Sequence, residues 1–349
     1  MTRDSLLPGL HSTVTSFGCE KKKMSEVQRR DSLKHLDTEL TKRLYNGNHE
    51  MEVCDSEADL LSSYIGCTKN PEHDSFIPVN NFSIEHLPAA FQEEDIVQVV
   101  KALAELTVRV RVNVTSLERP MYQPDSDVPY PFYNFRGRTL PRFGTGLVDN
   151  VTKYEMVPCP CQACRITEDP KEVWAEIEVF TASHVVFDES EASSTCCRLF
   201  YDYPGGDYVD VNDVKMWHSD VTKDKCRLTC LTHDEALIDR LLQTNAKRKI
   251  LCRRVRDRYW NSRDDDKLTI IVSHPHGCQK MISVGEWRQR TDEDMYCMYT
   301  YNTATCPGSS GAYVYILGSV GWWYEYVHRG VNLEGTNFSG AGYDPDFRR

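Results

Sequence analysis

From residue 107 onward the apolar residues recur in short runs of strand length, broken by glycine, proline, asparagine and aspartate. Val108, Val110, Val112 and Val114 alternate with Arg109, Arg111 and Asn113, a periodicity that suits a half-buried strand and no helix. RFGTGLVDNV, WAEIEVFTASHVVF, KLTIIVSHPHG, MISVGEW and GAYVYILG continue the texture. Many short strands with turn chemistry between them predict an all-β barrel or sandwich. His233 to Arg248 interrupts the pattern and reads as a helical or extended crossing between two halves.

The stretch before residue 107 reads differently. Residues 1–90 are polar and mixed in charge, and are expected to form an extension, helical in part and otherwise disordered. Within it, Leu33, Leu36, Leu40 and Leu44 predict an amphipathic helix over about 31–45, stopped by Asn46, Gly47 and Asn48. Its apolar stripe serves a partner, self-association or packing on the main domain. Ile96, Val99, Val100, Leu103 and Leu106 mark a second helical face leading into the β region. No apolar run approaches the roughly 18 residues of a membrane span, and the first residues lack the apolar core of a secretory signal. A soluble, intracellular protein without membrane contact is therefore expected. A net charge of −11 argues against a general nucleic-acid binder.

The chemistry concentrates in Thr305–Tyr315, TCPGSSGAYVY. Gly308 and Gly311 admit backbone angles that a Cβ forbids. Such a turn can project the Ser310 hydroxyl while neighbouring N–H groups point into one small space, as attack on a carbonyl requires. A base is offered by His184 at the end of VFTASHVVF, where an imidazole can shuttle protons. An orienting carboxylate is offered by Asp234, just ahead of Ala236, Leu237 and Ile238, with Glu235 and Asp239 as substitutes.

His in TASHVVF, Asp in HDEALI and Ser in PGSSGAYV resemble, in that order, the signatures of chymotrypsin-like (trypsin-fold) serine proteases. Gly144–Val148 resembles the early glycine-flanked strand of that fold, and IIVSHPHG a strand of its second barrel. The resemblance spans about residues 105–345. It implies a mainly β, two-barrel fold over 107–349, with barrel one at about 107–242 and barrel two at about 247–345. It also implies an acyl-enzyme mechanism on protein or peptide substrates. Ser310 would be the nucleophile, His184 the base and Asp234 the orienter, with the N–H groups of Gly308 and Ser310 forming the oxyanion hole. Catalysis of this kind needs no cofactor. Two departures stand out. Ser309 occupies the place of the acid that pairs with a new N-terminus in zymogen-derived members, and Ala312-Tyr313 replaces the usual Gly-Pro. The first makes the chain similar to the intracellular, bacterial and viral branches, and the second implies a different rim to the cleft.

In glutamate-specific members and in viral relatives preferring glutamine, a threonine and a histidine at the offsets of Thr305 and His328 line the primary pocket. The resemblance thus implies cleavage after Glu or Gln. The alternative reading is an inactive trypsin-fold scaffold that binds peptides or partners, stabilised by zinc. Fourteen cysteines are many for a chain without a secretory signal. Cys159, Cys161 and Cys164 in CPCQAC, with Cys197 beyond the His184 strand, form a candidate structural zinc set. Disulfides and buried thiols are the alternatives. Cys306 is expected to pack.

Overall fold

The computed structural model describes residues 49–124, 127–293, 296–319, 326–332 and 335–343. The helix expected over 31–45 lies outside them. The described chain opens with β1 (Glu52–Val53), α1 (Leu60–Ile65), β2 (Ile77–Pro78), α2 (Glu94–Leu106), β3 (Thr107–Val114) and β4 (Thr139–Tyr154). It continues through β5 (Trp174–Thr181), α3 (Glu189–Ala192), β6 (Thr195–Leu199), β7 (Val209–Val211), β8 (Val214–Asp220), β9 (Lys225–Thr232) and α4 (Glu235–Tyr259). It closes with β10 (Leu268–Ser273), β11 (Met281–Glu293), β12 (Tyr296–Tyr301), β13 (Val314–Ile316), β14 (His328–Val331), β15 (Asn337–Ser339) and β16 (Gly342–Tyr343).

The strands form two antiparallel sheets, as the alternating runs predict. The first has the order β7-β6-β3-β4-β5-β9-β8, with β1 added to β4. The second has the order β13-β10-β11-β12-β15-β14, with β16 on β12 and β2 on β11. Each sheet thus takes a two-residue strand from the segment 52–78, which is laced across both.

The helices seal the core. Ile96, Val99, Val100, Leu103 and Leu106 of α2 are all buried, because their spacing puts them on one face. That helix lies along α4, whose Leu237, Ile238, Leu241, Leu251 and Val255 are buried in turn. Each such aliphatic side chain contributes about 1.5–3 kcal/mol by leaving water. The crossing expected over 233–248 is therefore a helix, longer than the sequence suggested, that carries the chain from the first sheet to the second. Its first residue is preceded by Asp234, whose carboxylate accepts from the Leu237 N–H at 3.0 Å, an N-cap that satisfies one of the orphan donors of the first turn.

Candidate active site

β5 ends at Thr181, and a tight turn follows in which the N–H groups of Val185 and Val186 both donate to the Ala182 carbonyl. This turn buries His184 completely. Its Nδ1 lies 2.7 Å from Oδ2 and 2.9 Å from Oδ1 of Asp224, and the same carboxylate accepts from the His184 N–H and the Ser183 hydroxyl at 3.0 Å each. Asp224 sits in the reversal between β8 and β9 with φ at 55°, a left-handed conformation that Asp tolerates better than most residues. Burial acts to raise its carboxyl, but the His184 imidazole and then Arg329 outweigh that and hold it well below the usual carboxylate range. The imidazole therefore faces a permanent anion at Nδ1. Its Nε2 is buried and has no hydrogen-bond partner among the described residues.

A second buried charge cluster supports the same turn. Arg119 forks onto Glu191 with two contacts of 2.7 Å, Arg142 reaches the same carboxylate at 2.9 Å, and all three side chains are fully buried. Arg119 also donates to the His184 carbonyl at 3.0 Å. One carboxylate cannot compensate two guanidiniums equally. Glu191 is drawn down to about 2 by the two arginines against the effect of burial, Arg119 is raised, and burial pushes Arg142 down to about 10.

Ser310 arrives from the second sheet, just ahead of β13. Gly308 and Gly311 take φ of 94° and 82°, and a Cβ at Gly311 would collide with the Thr181 hydroxyl and the Thr145 carbonyl. Thr145 on β4 ties the loop to the first sheet. Its N–H donates to the Ser310 carbonyl and its hydroxyl to the Gly308 carbonyl, both at 2.8 Å. Ser309 points inward, 3.1 Å from the Ser273 hydroxyl.

The cleft between these elements holds a piece of the same chain. The Glu50 carbonyl accepts from the N–H groups of Gly308 at 2.7 Å and Ser310 at 3.2 Å, while the Glu50 N–H donates to the Ser310 hydroxyl oxygen at 2.9 Å. The Glu50 carboxylate meets His328 Nε2 at 2.6 Å, the Thr305 hydroxyl at 2.7 Å and the Lys69 ammonium. Lys69 also reaches Thr305 Oγ1 and Asn337 Oδ1 at 2.9 Å each, and His328 Nδ1 is set by the Tyr301 hydroxyl at 2.7 Å. Burial alone would raise the Glu50 carboxyl, yet Lys69 and His328 lower it to about 2. Next to it, the His49 ring lies edge-on against His184, centroids 4.4 Å apart.

The described residues are thus mainly β, in two antiparallel sheets with this site at their junction. Among solved structures, the HtrA-type protease AlgW with tripeptide is similar at 11% identity and a TM-score of 0.36, over 70% of this chain and 58% of that one. The active form of the Rv3671c protease from M. tuberculosis is similar at 14% identity and a TM-score of 0.34, over 69% of this chain and 78% of that one. This chain thus spans less than two thirds of the AlgW chain. No protein-family model matches the sequence, and no curated protein matches it.

Of the residues singled out from the sequence, the structure gathers His184, Ser310, Gly308, Thr305 and His328 around residues 49 and 50. It does not bring Asp234 there. Asp234 is exposed and committed to capping α4, while Glu235 and Asp239 lie exposed on that helix. The carboxylate on His184 is Asp224. The signal for it was slight: an aspartate in the polar turn VTKDK between two alternating runs. Lys69, Glu50 and Thr145 were also missed, the first two because they lie in the polar segment ahead of the β region.

The cysteine set is corrected in part. The thiols of Cys159, Cys161 and Cys164 converge beside Trp174 and Leu231. Cys197 does not join them: it sits in the main core, its sulfur 3.8 Å from that of Cys230. Strand alternation explains this, since Cys197 points inward from β6 while CPCQAC packs beyond β5. All cysteines among the described residues are free thiols. No helix among the described residues is long and apolar enough to cross a membrane.

Proposed function

We propose that the protein is a serine endopeptidase that cuts peptide bonds after glutamate. The observation that carries this reading is the seating of Glu50. A carbonyl oxygen held by two converging backbone N–H groups, beside a serine hydroxyl, occupies the place where an oxyanion would form. Removing one such donor typically costs about 10²–10³ in rate. The side chain of the same residue fills a buried pocket whose threonine, histidine and lysine all address its carboxylate.

The chemistry follows from the atoms. Ser310 Oγ attacks the carbonyl carbon and passes its proton to His184 Nε2, the nitrogen left free when Nδ1–H donates to Asp224. The N–H groups of Gly308 and Ser310 hold the developing oxyanion. His184 then gives the proton to the leaving amine, and a water repeats the sequence on the acyl-enzyme. Glutamate is preferred over glutamine, because a neutral amide leaves the Lys69 charge without its partner in a largely desolvated site.

The test is labelling with a fluorophosphonate probe. Expected is modification of the wild-type protein that Ser310→Ala abolishes, together with cleavage after Glu in a peptide library. Absence of labelling on folded protein would favour an inactive peptide-binding scaffold instead. Cleavage after lysine or aromatic residues would overturn the pocket assignment.

A further inference from the structure

We infer that the Glu50–Met51 peptide bond of this chain is itself a substrate, cut in cis by Ser310; the inference rests on the hydrolase reading above. The chain does not merely touch the cleft at Glu50 but runs across it. On one side of the bond the His49 ring packs on His184. On the other, Met51 is buried and Glu52–Val53 pair antiparallel with Phe143 and Arg142 of β4. Both flanks are fixed by elements of the site, and between them the Glu50 carbonyl rests on the Gly308 and Ser310 N–H groups beside the Ser310 hydroxyl. A tethered bond held this way reaches effective concentrations that no dissolved peptide matches, so it is the first bond the enzyme meets.

The step balances as a hydrolysis. The Ser310 Oγ–H proton goes to His184 Nε2 as the Oγ–C bond to Glu50 forms. The Glu50 C–N bond then breaks, and His184 returns the proton to the Met51 nitrogen. One water, deprotonated by His184, cleaves the ester, and Ser310 recovers its proton. The products are residues 1–50 ending in a Glu50 carboxylate and residues 51–349 beginning at the Met51 amine.

The experiment is intact mass and N-terminal sequencing of the full chain, with fluorophosphonate labelling run in parallel. Expected is a first-order conversion, independent of protein concentration, to a chain beginning at Met51, absent in Ser310→Ala. A wild-type chain that labels at Ser310 yet stays whole at Glu50 overturns this inference and leaves the enzyme reading standing. A chain that neither labels nor cuts overturns both. A cut whose rate rises with protein concentration assigns the cleavage to a second molecule and overturns the cis step.

A different cluster, independent of that reading, points to a metal site at the base of the same loop. We propose that Cys67, His73, His276 and Cys306 bind one zinc ion. Their ligand atoms all lie within 4.8 Å of one another. The Cys67–Cys306 sulfur separation is 3.6 Å, and Cys306 Sγ lies 3.6 Å from His73 Nε2. Zinc bond lengths of about 2.0–2.3 Å set tetrahedral edges of roughly 3.3–3.8 Å, which these match. His276 is 4% exposed, its Nδ1 faces Glu52 Oε2 at 2.7 Å, and its Nε2 is buried with no partner among the described residues. A carboxylate behind a histidine and a vacant inner nitrogen are how proteins orient a metal-binding imidazole. Asn70 supplies N–H donors to both sulfurs, from its backbone to Cys67 at 3.4 Å and from its amide to Cys306 at 3.1 Å. His73 and His276 both adopt left-handed backbone, at φ of 55° and 53°, conformations that persist only when the surroundings enforce them.

Zinc here would join the turn carrying Lys69 and Asn70 to the loop carrying Ser310. The test uses reduced protein with Zn²⁺ and with Co²⁺ as a visible substitute. Expected is about one tightly held metal per chain at this site, with tetrahedral cobalt bands and thiolate charge-transfer absorption. His276→Ala and Cys67→Ser lose them, whereas Cys161→Ser, in the separate three-thiol cluster, keeps them. Reduced, folded wild-type protein that takes up neither metal overturns the proposal. So does a cobalt spectrum unchanged in His276→Ala.

Discussion

Asp224 holds the Nδ1 of His184 at 2.7 Å in a site where both residues are almost wholly withdrawn from water. The carboxylate has four short contacts, three to His184 and one to its neighbour Ser183, so its position is set by the very turn it orients. An amide in its place could present the wrong atom to the ring and favour the wrong tautomer. Asp224→Asn is expected to lower kcat, or the rate of fluorophosphonate labelling, by about 10²–10⁴. Asp234→Ala is expected to leave labelling unchanged and to lower stability by about 1 kcal/mol, the usual worth of an N-cap. Loss of labelling in the Asp234 variant, with the Asp224 variant active, would reverse the assignment.

On the proposed reading, Lys69 is the group expected to separate glutamate from glutamine substrates. It reaches the Glu50 carboxylate, Thr305 and Asn337 from a turn more than 230 residues away in sequence from Thr305. Its side chain keeps 29% exposure, which places its worth at the lower end of the range for charge pairs. Lys69→Met is expected to cut kcat/KM on a Glu peptide by about 10- to 100-fold, or about 1.4–2.8 kcal/mol, and to change the matched Gln peptide far less. Equal losses on both peptides would show that Lys69 acts through the fold rather than through the charge.

What could be read from sequence was what is local. The alternation Val108, Val110, Val112, Val114 belongs to one strand, and the glycines flanking Ser310 belong to one turn, so both leave short-range marks. The pair HDEALI illustrates the opposite danger. An aspartate followed by Glu-Ala-Leu-Ile is also a helix start, and that is the use α4 makes of it. The end of α4 was missed because KRKILCRRVRDR is so basic that Leu251, Val255 and Tyr259 hardly show as a stripe. Two-residue strands such as Glu52–Val53 have no period to detect. The contacts of Glu50 with Ser310 and Thr305 span 260 and 255 residues, and no local pattern encodes them.

Acid should release the segment from the cleft. The Glu50 carboxyl falls from its ordinary 4.5 to about 2 in the folded protein, driven by Lys69 and His328 against the effect of burial. A depressed carboxyl stabilises the docked state above its free pKa, and that stabilisation is lost as pH falls through the window from about 4.5 to about 2. The difference corresponds to about 3 kcal/mol. In Ser310→Ala, which keeps the chain whole, hydrogen exchange at residues 49–53 is expected to accelerate across this window. Glu50→Gln should show no such pH dependence there. Protection in Ser310→Ala that is flat from pH 5 to pH 2.5 would count against an ionised Glu50 in the pocket.

Glu191 provides the sharpest stability test, because it separates the worth of an ion cluster from the cost of breaking it. The two arginines it joins are fully buried, Arg119 among the rings of Tyr130, Phe132 and Phe187 and Arg142 beside Phe132. Glu191→Gln removes the carboxylate that pairs with Arg142 and leaves a guanidinium in the core without that counter-charge. Such a change is expected to cost about 3–5 kcal/mol. Because Arg119 also holds the His184 carbonyl, the loss should reach the site as slower labelling of Ser310 in the fraction that remains folded. Arg142→Met in the Glu191→Gln background removes the stranded charge, and should recover part of the stability measured by denaturant unfolding. A double variant less stable than Glu191→Gln alone would show that the guanidinium packs favourably even without its partner, and that charge compensation is not what the cluster contributes.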